Sequence, residues 1–368
     1  MAKLKDRLVD PAAWSDLIMG NEALARAMID TGTRVITTFP GSPTPEIGAA
    51  LTAVAPEARP YRFEWSVNEK VALEVATGAS LNGHPACCFF KSVGLNVASD
   101  SLVQLGLMEL IGGMVVILGD DPGANSSQNE QDNRWFARMS YIPMLEPATP
   151  QEAYDMYREA LRLSRERKMP VFLRLTTHVC HAREVVDVEP FDDGVADGYD
   201  WEPRFKPENG PYVPITVTVF PLKRKALAKL REFETWADTC AFNGVLAPGG
   251  AGKAPDGKRL GVVASSLAAN SVIECLTAAG KPVDLLKLGV TYPLPRGLVA
   301  QFLADHDEVL VIEELDRVHE TEIKALAYEE GAACKLLGRT DVEDLMGELG
   351  PRRTWGLLHG AWPDLFPP

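Results

Sequence analysis

Short apolar runs alternate with helix-length amphipathic segments between about residues 20 and 180. The apolar runs lie at 34–39, 86–90, 114–118 and 171–175. Runs of this length, separated by segments long enough for helices, are typical of strands in a parallel sheet that is covered by helices on both faces. The sequence therefore predicts a doubly wound α/β domain in this part of the chain.

A smaller alternation of the same kind follows in the last third of the chain. It predicts strands at 260–264, 283–288 and 308–312 and helices at 267–279 and 296–304. A chain of 368 residues is longer than a single hydrophobic core usually supports. The stretch 186–218 is rich in Asp, Pro, Gly and Tyr and has no periodicity, which is typical of a linker. We therefore predict two α/β domains, 1–185 and 219–368, joined by a linker at 186–218.

The charge and hydropathy of the chain argue against several classes of partner. The 51 acidic and 37 basic residues give a formal net charge of -14, which repels nucleic-acid backbones and anionic membranes. No apolar stretch approaches the roughly 20 residues that span a bilayer, and the charged start is unlike a signal peptide. We expect a cytoplasmic protein that binds neither nucleic acid nor membrane.

The cysteines do not form a metal-binding pattern. They lie at 87, 88, 180, 240, 275 and 334. None has the C-x-x-C spacing of iron–sulfur or structural zinc sites, so we interpret them as small buried hydrophobes. His178 and His181 flank Cys180 without a fourth ligand, and we expect no metal site on this chain.

The segment 64–74 (Glu-Trp-Ser-Val-Asn-Glu-Lys-Val-Ala-Leu-Glu) passes from a short strand into a helix. Ser66 and Glu69 have the S-x-x-E spacing of a capping box, in which both side chains only satisfy backbone amides at the helix start. The alternative is that Glu69 has a chemical role. Capping boxes are common at helix starts, so on this segment alone the structural interpretation is favoured.

Three other polar segments also follow predicted strands. They are the turn 39–46 (Phe-Pro-Gly-Ser-Pro-Thr-Pro-Glu), the segment 91–96 (Lys-Ser-Val-Gly-Leu-Asn) and the long loop 119–134. The carboxyl ends of parallel strands meet at one edge of the sheet, where open α/β folds bind ligands. Turn chemistry accounts for Thr44 and Pro45 as a helix start, but it leaves Ser42 unexplained.

Taken together and in this order, these segments resemble the indolepyruvate ferredoxin oxidoreductase alpha subunits, within the thiamine-diphosphate-dependent 2-oxoacid:ferredoxin oxidoreductases. The resemblance extends from about residue 20 to 320. It includes Ser-Val-Asn-Glu-Lys-Val-Ala-Leu-Glu at 66–74 and Val-Gly-Leu-Asn-Val-Ala at 93–98. The run Ser-Ser-Gln-Asn-Glu-Gln-Asp-Asn-Arg at 126–134 is its most specific part.

The resemblance implies a fold and a set of site residues. The first domain would be the pyrimidine-binding domain of a thiamine enzyme, and the second would resemble the C-terminal domain of transketolase. Glu69 would contact N1′ of the aminopyrimidine and share its proton, which is the catalytic role. The remaining roles implied are cofactor binding for Val93, Gly94 and Asn96, and substrate binding for Ser42 and Arg134.

The resemblance also implies partner chains. The Gly-Asp-Gly motif with a downstream Asn that holds magnesium in thiamine enzymes is missing, because Gly119-Asp120-Asp121 has the wrong third residue. A diphosphate-binding subunit would hold Mg²⁺ and complete the active site. Iron–sulfur clusters or a flavin would lie on electron-transfer subunits, since longer alpha subunits carry cysteine clusters beyond the region matched here. An (αβ)₂ or larger hetero-oligomer is expected.

The predicted function is therefore oxidative decarboxylation of an aryl 2-oxoacid such as indolepyruvate, giving an acyl-CoA or the free acid. Two alternatives stay open. One is a split non-oxidative thiamine enzyme, either a decarboxylase or transketolase-like, and the other is a non-catalytic assembly subunit. Glu313 and Glu314, at a predicted strand end, are interpreted as packing between the domains.

Overall fold

The computed structural model describes residues 4–192, 194–195 and 200–368. By their internal contacts the described residues form two units, one from those between 4 and 121 and between 126 and 230, and one of 122–125 with 231–368. Of the predicted linker at 186–218, residues 193 and 196–199 lie outside the described part of the chain. The domain boundaries predicted at 185 and 219 stay predictions.

The strands of the first unit follow the alternation in the sequence. They are β1 (Trp14–Met19), β2 (Val35–Thr38), β3 (Arg62–Trp65), β4 (Ala86–Lys91), β5 (Met114–Asp120), β6 (Met144–Leu145), β7 (Pro170–Thr176) and β8 (Arg183–Val188). Six of them pair in parallel in the order β6-β7-β5-β4-β2-β3. Strands β1 and β8 form a separate antiparallel pair. All residues of β5 and β7 are buried, as expected of strands in the middle of a covered parallel sheet.

Helices connect these strands. They are α1 (Leu4–Arg7), α2 (Gly20–Asp30), α3 (Pro45–Ala53), α4 (Glu69–Leu81), α5 (Gly94–Leu105), α6 (Arg134–Ser140), α7 (Pro150–Arg167), α8 (Thr177–His181) and α9 (Val219–Ala237), and the boundary between the units falls within α9. Helix α4 packs against α5, and α2 packs against α7. Helix α4 buries Ala72, Leu73 and Ala76, and because Ala76 follows Leu73 by three residues and Ala72 by four, the three lie on one face.

The second unit is a smaller α/β assembly. Its strands are β9 (Gly244–Leu246), β10 (Leu260–Ser265), β11 (Val283–Leu288), β12 (Val290–Tyr292), β13 (Glu308–Ile312) and β14 (Lys335–Leu337). Its helices are α10 (Ser266–Ala279), α11 (Arg296–Asp305), α12 (Val318–Glu330) and α13 (Pro351–Ala361). The sheet order is β14-β13-β10-β11-β9, with only β9 antiparallel to its neighbour. Together with the first unit, this confirms the predicted α/β fold class.

Glu313 and Glu314 have structural roles inside the second unit. The Glu313 carboxylate accepts hydrogen bonds from the backbone N–H groups of His319 and Glu320, both at 2.9 Å, and so caps the start of α12. Glu314 accepts a hydrogen bond from the backbone N–H of Leu349, also at 2.9 Å. Both carboxylates thus have hydrogen-bond partners within the second unit, and their predicted packing between the domains stays a prediction.

Across the described ranges of the chain, none of the helices is both long and apolar enough to cross a membrane.

Candidate active site

Helix α4 starts at the carboxyl end of β3, and its first residue is Glu69. The N-cap is Asn68, whose Oδ1 accepts a hydrogen bond from the backbone N–H of Val71 at 2.9 Å. Ser66 instead donates its hydroxyl to Glu64 Oε1 at 2.9 Å. The predicted capping box between Ser66 and Glu69 is therefore wrong, since the helix begins two residues later than that box requires. The Glu69 carboxylate is not used to cap this helix.

The Glu69 side chain is nearly buried, with 6% of its surface exposed. Within the described residues, no hydrogen bond or ion pair involves its carboxylate. It packs against Gly94 at the start of α5, where a Cβ atom would lie 2.7 Å from both Glu69 Cγ and Glu69 Oε1. Burying a carboxylate without a partner is costly, so this position favours an external hydrogen-bond donor as the missing partner.

The carboxylate lies on the wall of a cleft of about 580 Å³. The cleft is lined by Phe39, Pro40, Glu69, Lys91, Val93, Asn96, Val97, Gln128 and Asn129. These residues come from the carboxyl ends of β2 and β4, the starts of α4 and α5, and the loop before α6. The cleft thus lies at the sheet edge where ligands bind in folds of this kind.

The structure brings together most of the residues singled out in the sequence. Val93 and Asn96 line the cleft beside Glu69, and Gly94 contacts Glu69 directly. Ser42 lies in the turn before α3 and is partly exposed, but it is not among the lining residues. Its predicted contact with the substrate stays a prediction.

The loop that precedes α6 is held against the start of α5 by side-chain amides. Asn96 Nδ2 donates to Gln131 Oε1 at 2.8 Å, and Gln131 Nε2 donates back to Asn96 Oδ1 at 3.0 Å. Gln131 Nε2 and Asn133 Nδ2 also donate to the backbone carbonyl of Ser92, at 3.0 and 3.2 Å. These contacts keep Gln128 and Asn129 at the mouth of the cleft, so the loop is not a freely solvated connection.

Arg134 is not among the residues that line this cleft. Its guanidinium is 2% exposed and binds Asp132, with Nε 2.9 Å from Oδ1 and Nη2 2.5 Å from Oδ2. Burial acts to raise the pKa of Asp132, but the charge of Arg134 outweighs it and holds the pKa below its usual value. A role of Arg134 in substrate binding stays a prediction, and it would require this buried pair to open.

A second cluster of buried charges contacts the loop that precedes α6. Arg174 Nε lies 2.6 Å from Asp120 Oδ2, and Arg174 Nη1 lies 2.8 Å from Glu146 Oε2. Burial raises the pKa of Asp120 despite the nearby guanidinium. The same burial disfavours the charge on Arg174, but Glu146 and Asp120 outweigh it and raise the pKa of Arg174. Asp120 also accepts hydrogen bonds from the backbone N–H of Asn133, at 3.2 Å, and from its side chain.

The segment around Cys180 has no feature of a metal site. Cys180 is buried, and burial raises the pKa of its thiol. His181 Nε2 lies 3.4 Å from Glu46 Oε2. Among the residues with described positions, no three His, Cys, Asp or Glu side chains are grouped as metal ligands.

Several residues that line the cleft had no role predicted from the sequence. They are Phe39, Pro40, Lys91 and Val97, although the first three lie at or just after the ends of strands. That position was a usable signal, because the last residue of a central parallel strand and the two that follow reach the ligand-binding edge. For Val97, one turn into α5, no comparable signal existed.

Comparison with known proteins places the chain in a family. Residues 26–228 match the model of the thiamine-diphosphate-binding domain of pyruvate flavodoxin/ferredoxin oxidoreductases. The chain belongs to this family. The match includes Glu69 and every other residue that lines the cleft.

Relatives within the family bear out the resemblance drawn from the sequence. Indolepyruvate oxidoreductase subunit IorA of Methanothermobacter marburgensis is 43% identical over 324 residues, which are 88% of this chain and 50% of the relative. IorA of Thermococcus kodakarensis is 34% identical over 355 residues, which are 96% of this chain and 54% of the relative. The chain therefore spans about half the length of the IorA relatives it matches.

Solved structures of low sequence identity share the fold. A 2-oxoglutarate:ferredoxin oxidoreductase from Magnetococcus marinus superposes with a TM-score of 0.72 at 15% identity, covering 96% of this chain and 65% of that one. An inactive β4 tetramer of a split-gene transketolase gives a TM-score of 0.60 at 14% identity, covering 95% of this chain and 99% of that one. At these identities the similarity establishes the fold alone, and it agrees with the fold class predicted for a thiamine-dependent chain.

Proposed function

We propose that this chain is the pyrimidine-binding subunit of a thiamine-diphosphate-dependent 2-oxoacid oxidoreductase that acts on an aryl 2-oxoacid such as indolepyruvate. One observation carries the proposal. Glu69 presents a nearly buried carboxylate to a cleft at the carboxyl edge of the sheet, and within the described residues it has no hydrogen-bond partner. The names of the IorA relatives support the substrate class.

The residues around the cleft fit the aminopyrimidine of thiamine diphosphate. Glu69 would hold the ring nitrogen N1′, and Val93, Gly94 and Asn96 would lie along the ring. Ser42 is proposed to face the substrate. When bound, thiamine diphosphate would supply the carbon nucleophile for the 2-oxo group and a thiazolium ring that accepts the electron pair released with carbon dioxide.

The chain's own contribution is to hold and move a proton at Glu69. A carboxyl group that faces a cleft and has no competing donor in the described part of the chain can share its proton with a ring nitrogen of a bound ligand. Asn68 caps the helix, so the start of α4 does not require the Glu69 carboxylate as a cap. The carboxylate can therefore gain or lose a proton without disturbing the helix start. Gly94 allows the carboxylate to lie flat against the start of α5.

We propose that other subunits complete the active site. This chain's sequence has no Gly-Asp-Gly motif in the region of the proposed site, and we propose that a diphosphate-binding subunit provides Mg²⁺ ligands and completes the active site. Electron-transfer groups, iron–sulfur clusters or a flavin, are proposed on further chains, within an (αβ)₂ or larger assembly. The relatives' own names describe subunits, which supports an assembly of this kind.

Activity of the full chain with its partner subunits tests the proposal. The co-purified complex should oxidise indolepyruvate with reduction of a viologen dye, and removal of thiamine diphosphate and Mg²⁺ should abolish turnover until both are restored. Carbon dioxide release without dye reduction would favour the non-oxidative alternative. Turnover that persists without thiamine diphosphate would overturn the proposal.

A substitution at Gly94 tests the position of the carboxylate. In Gly94→Ala, the new Cβ would lie 2.7 Å from Glu69 Oε1 and push the carboxylate out of place. A displacement of about 1 Å at a reacting group costs roughly 100-fold in rate, so kcat/KM of the complex should fall by about that factor. The measurement is steady-state dye reduction together with the affinity for thiamine diphosphate.

Gly78→Ala is the matched control for the Gly94 substitution. Gly78 lies in α4, and a Cβ atom there would meet nothing within 4 Å. This variant should keep full activity and gain roughly 0.5–1 kcal/mol in the free energy of unfolding, because Ala is the better helix former. Full activity in Gly94→Ala as well would show that the position of Glu69 does not matter for turnover.

A further inference from the structure

Lys91 provides the positive charge of the cleft. It is the last residue of β4, and among the described lining residues it is the only cation. Its Nζ donates a hydrogen bond to Gln128 Oε1 at 3.0 Å. No carboxylate of the described residues forms an ion pair with it, although acidic residues outnumber basic ones by 51 to 37 in the chain.

The turn before α3 is shaped around the Lys91 side chain. A Cβ atom at Gly41 would lie 2.7 Å from Lys91 Cδ, 2.8 Å from Cγ and 3.2 Å from Cβ. The first two distances are shorter than carbon atoms tolerate, so only glycine at position 41 admits the aliphatic stem in this place. The turn therefore fixes the direction in which the Lys91 ammonium group reaches the cleft.

The partner of Lys91 orients the ammonium group without neutralising it. Gln128 offers a neutral amide oxygen, so the full charge stays available to a ligand. Arg134 differs in this respect, because the buried carboxylate of Asp132 already neutralises it. A ligand anion in this cleft would otherwise meet only the negative charge of Glu69 and of a chain with net charge -14.

From this geometry we infer that Lys91 binds the carboxylate of the 2-oxoacid substrate, with Gln128 holding the ammonium group in position. The inference rests on the proposed function, since it concerns the same cleft. An ammonium–carboxylate hydrogen bond is charge-assisted and stronger than a neutral one. Lys91 acts as a binding residue that selects anionic substrates, and it transfers no proton.

This role predicts a particular kinetic signature. The carboxylate carries its full charge in the bound substrate and loses it as neutral carbon dioxide departs, so attraction to Lys91 is strongest before the reaction. Removing an interaction that is stronger in the bound substrate than in the transition state raises KM without lowering the rate of the chemical step. A loss confined to folding or assembly would instead lower the amount of active complex without changing KM.

The test uses the assembled complex with Lys91→Met and Lys91→Arg. Met keeps most of the stem that packs over Gly41 and removes the charge, so KM for indolepyruvate should rise by about 10- to 100-fold with a smaller change in kcat. Indole-3-acetate should inhibit wild type more strongly than the neutral indole-3-acetamide. Lys91→Met should lose this preference and Lys91→Arg should retain it.

Lys70→Met is the control for net charge. Lys70 lies on α4, where its Nζ binds the exposed carboxylate of Asp100 at 2.7 Å. This variant removes the same charge at a site outside the cleft, so KM and the preference for the anionic inhibitor should match wild type. A rise in KM equal to that of Lys91→Met would assign the effect to long-range charge and overturn the inference.

The outcomes separate the inference from the function on which it rests. If Glu69→Gln abolishes turnover while Lys91→Met keeps the wild-type KM and the preference for indole-3-acetate, Lys91 does not bind the carboxylate and the proposed function still stands. If turnover does not depend on thiamine diphosphate, the proposed function fails and the inference fails with it. Should Lys91→Met fold poorly, Lys91→Gln, which also removes the charge, must show the same loss of inhibitor preference.

Discussion

Glu69→Gln should lower kcat of the assembled complex by about 10²- to 10⁴-fold, the range expected when a positioned acid–base group is lost. Gln is similar in size to Glu and can still hydrogen-bond to a ring nitrogen, but it cannot share a proton in the same way. The measurement is indolepyruvate-dependent dye reduction at saturating substrate and cofactor.

The fold should tolerate this substitution. Asn68, not Glu69, caps α4, and no described residue loses a hydrogen bond when the Glu69 carboxylate is replaced. The loss of one negative charge in the first helical turn costs only about 0.3–1 kcal/mol. The thermal unfolding midpoint of the isolated chain should therefore stay close to that of wild type.

Glu74→Gln is the matched control on the same helix. Glu74 is exposed and accepts a hydrogen bond from the Ser101 hydroxyl at 2.6 Å, so its replacement removes an equal charge outside the cleft. Its kcat should equal that of wild type. Full turnover of Glu69→Gln, or equal losses in the two variants, would contradict the catalytic assignment and favour a non-catalytic subunit.

The sequence was sufficient to predict the elements that position the site. Apolar runs with helices between them fix a parallel sheet, and such a sheet gathers the ends of its strands at one edge. The predicted run at 86–90 became β4, and the segment after it reached the cleft with Val93, Gly94 and Asn96. The end of β4 follows from local periodicity and topology, whereas the choice of Val93, Gly94 and Asn96 came from the family resemblance.

The exact starts of helices and the pairing of charges were not predictable in this way. Ser66 and Asn68 are both good N-cap residues, and only the backbone path after β3 decides that Asn68 is used. Arg134 has suitable chemistry for a substrate carboxylate, but Asp132, two residues earlier, binds it. Lys91 has no carboxylate partner among the residues that the structure describes, and that difference depends on the folded path of the loop.

Arg174→Met should destabilise the chain by about 3–5 kcal/mol in the free energy of unfolding, the usual cost of leaving buried charges without their partner. Arg174 lies between Asp120 and Glu146, and all three side chains are almost completely buried. Equilibrium denaturation of the isolated chain measures this loss.

Arg162→Met on the exposed face of α7 is the control. Its ion pairs with Glu159 and Glu166 are largely solvated, so the cost there should stay below about 1 kcal/mol.

The pH dependence of Arg174→Met follows from the sign of the shift at Asp120. Burial already raises the pKa of Asp120 above its usual value in the folded chain, and loss of the guanidinium raises it further. A group with a raised folded pKa binds more protons in the folded state, so its contribution to stability is lost as pH rises. The deficit relative to wild type should therefore be smaller at acidic pH than at pH 8. A deficit that is independent of pH would show that Asp120 is not the group left unpaired.

Because Asp120 also binds Asn133, the same variant should loosen the loop that carries Gln128 and, with it, the proposed substrate contact at Lys91.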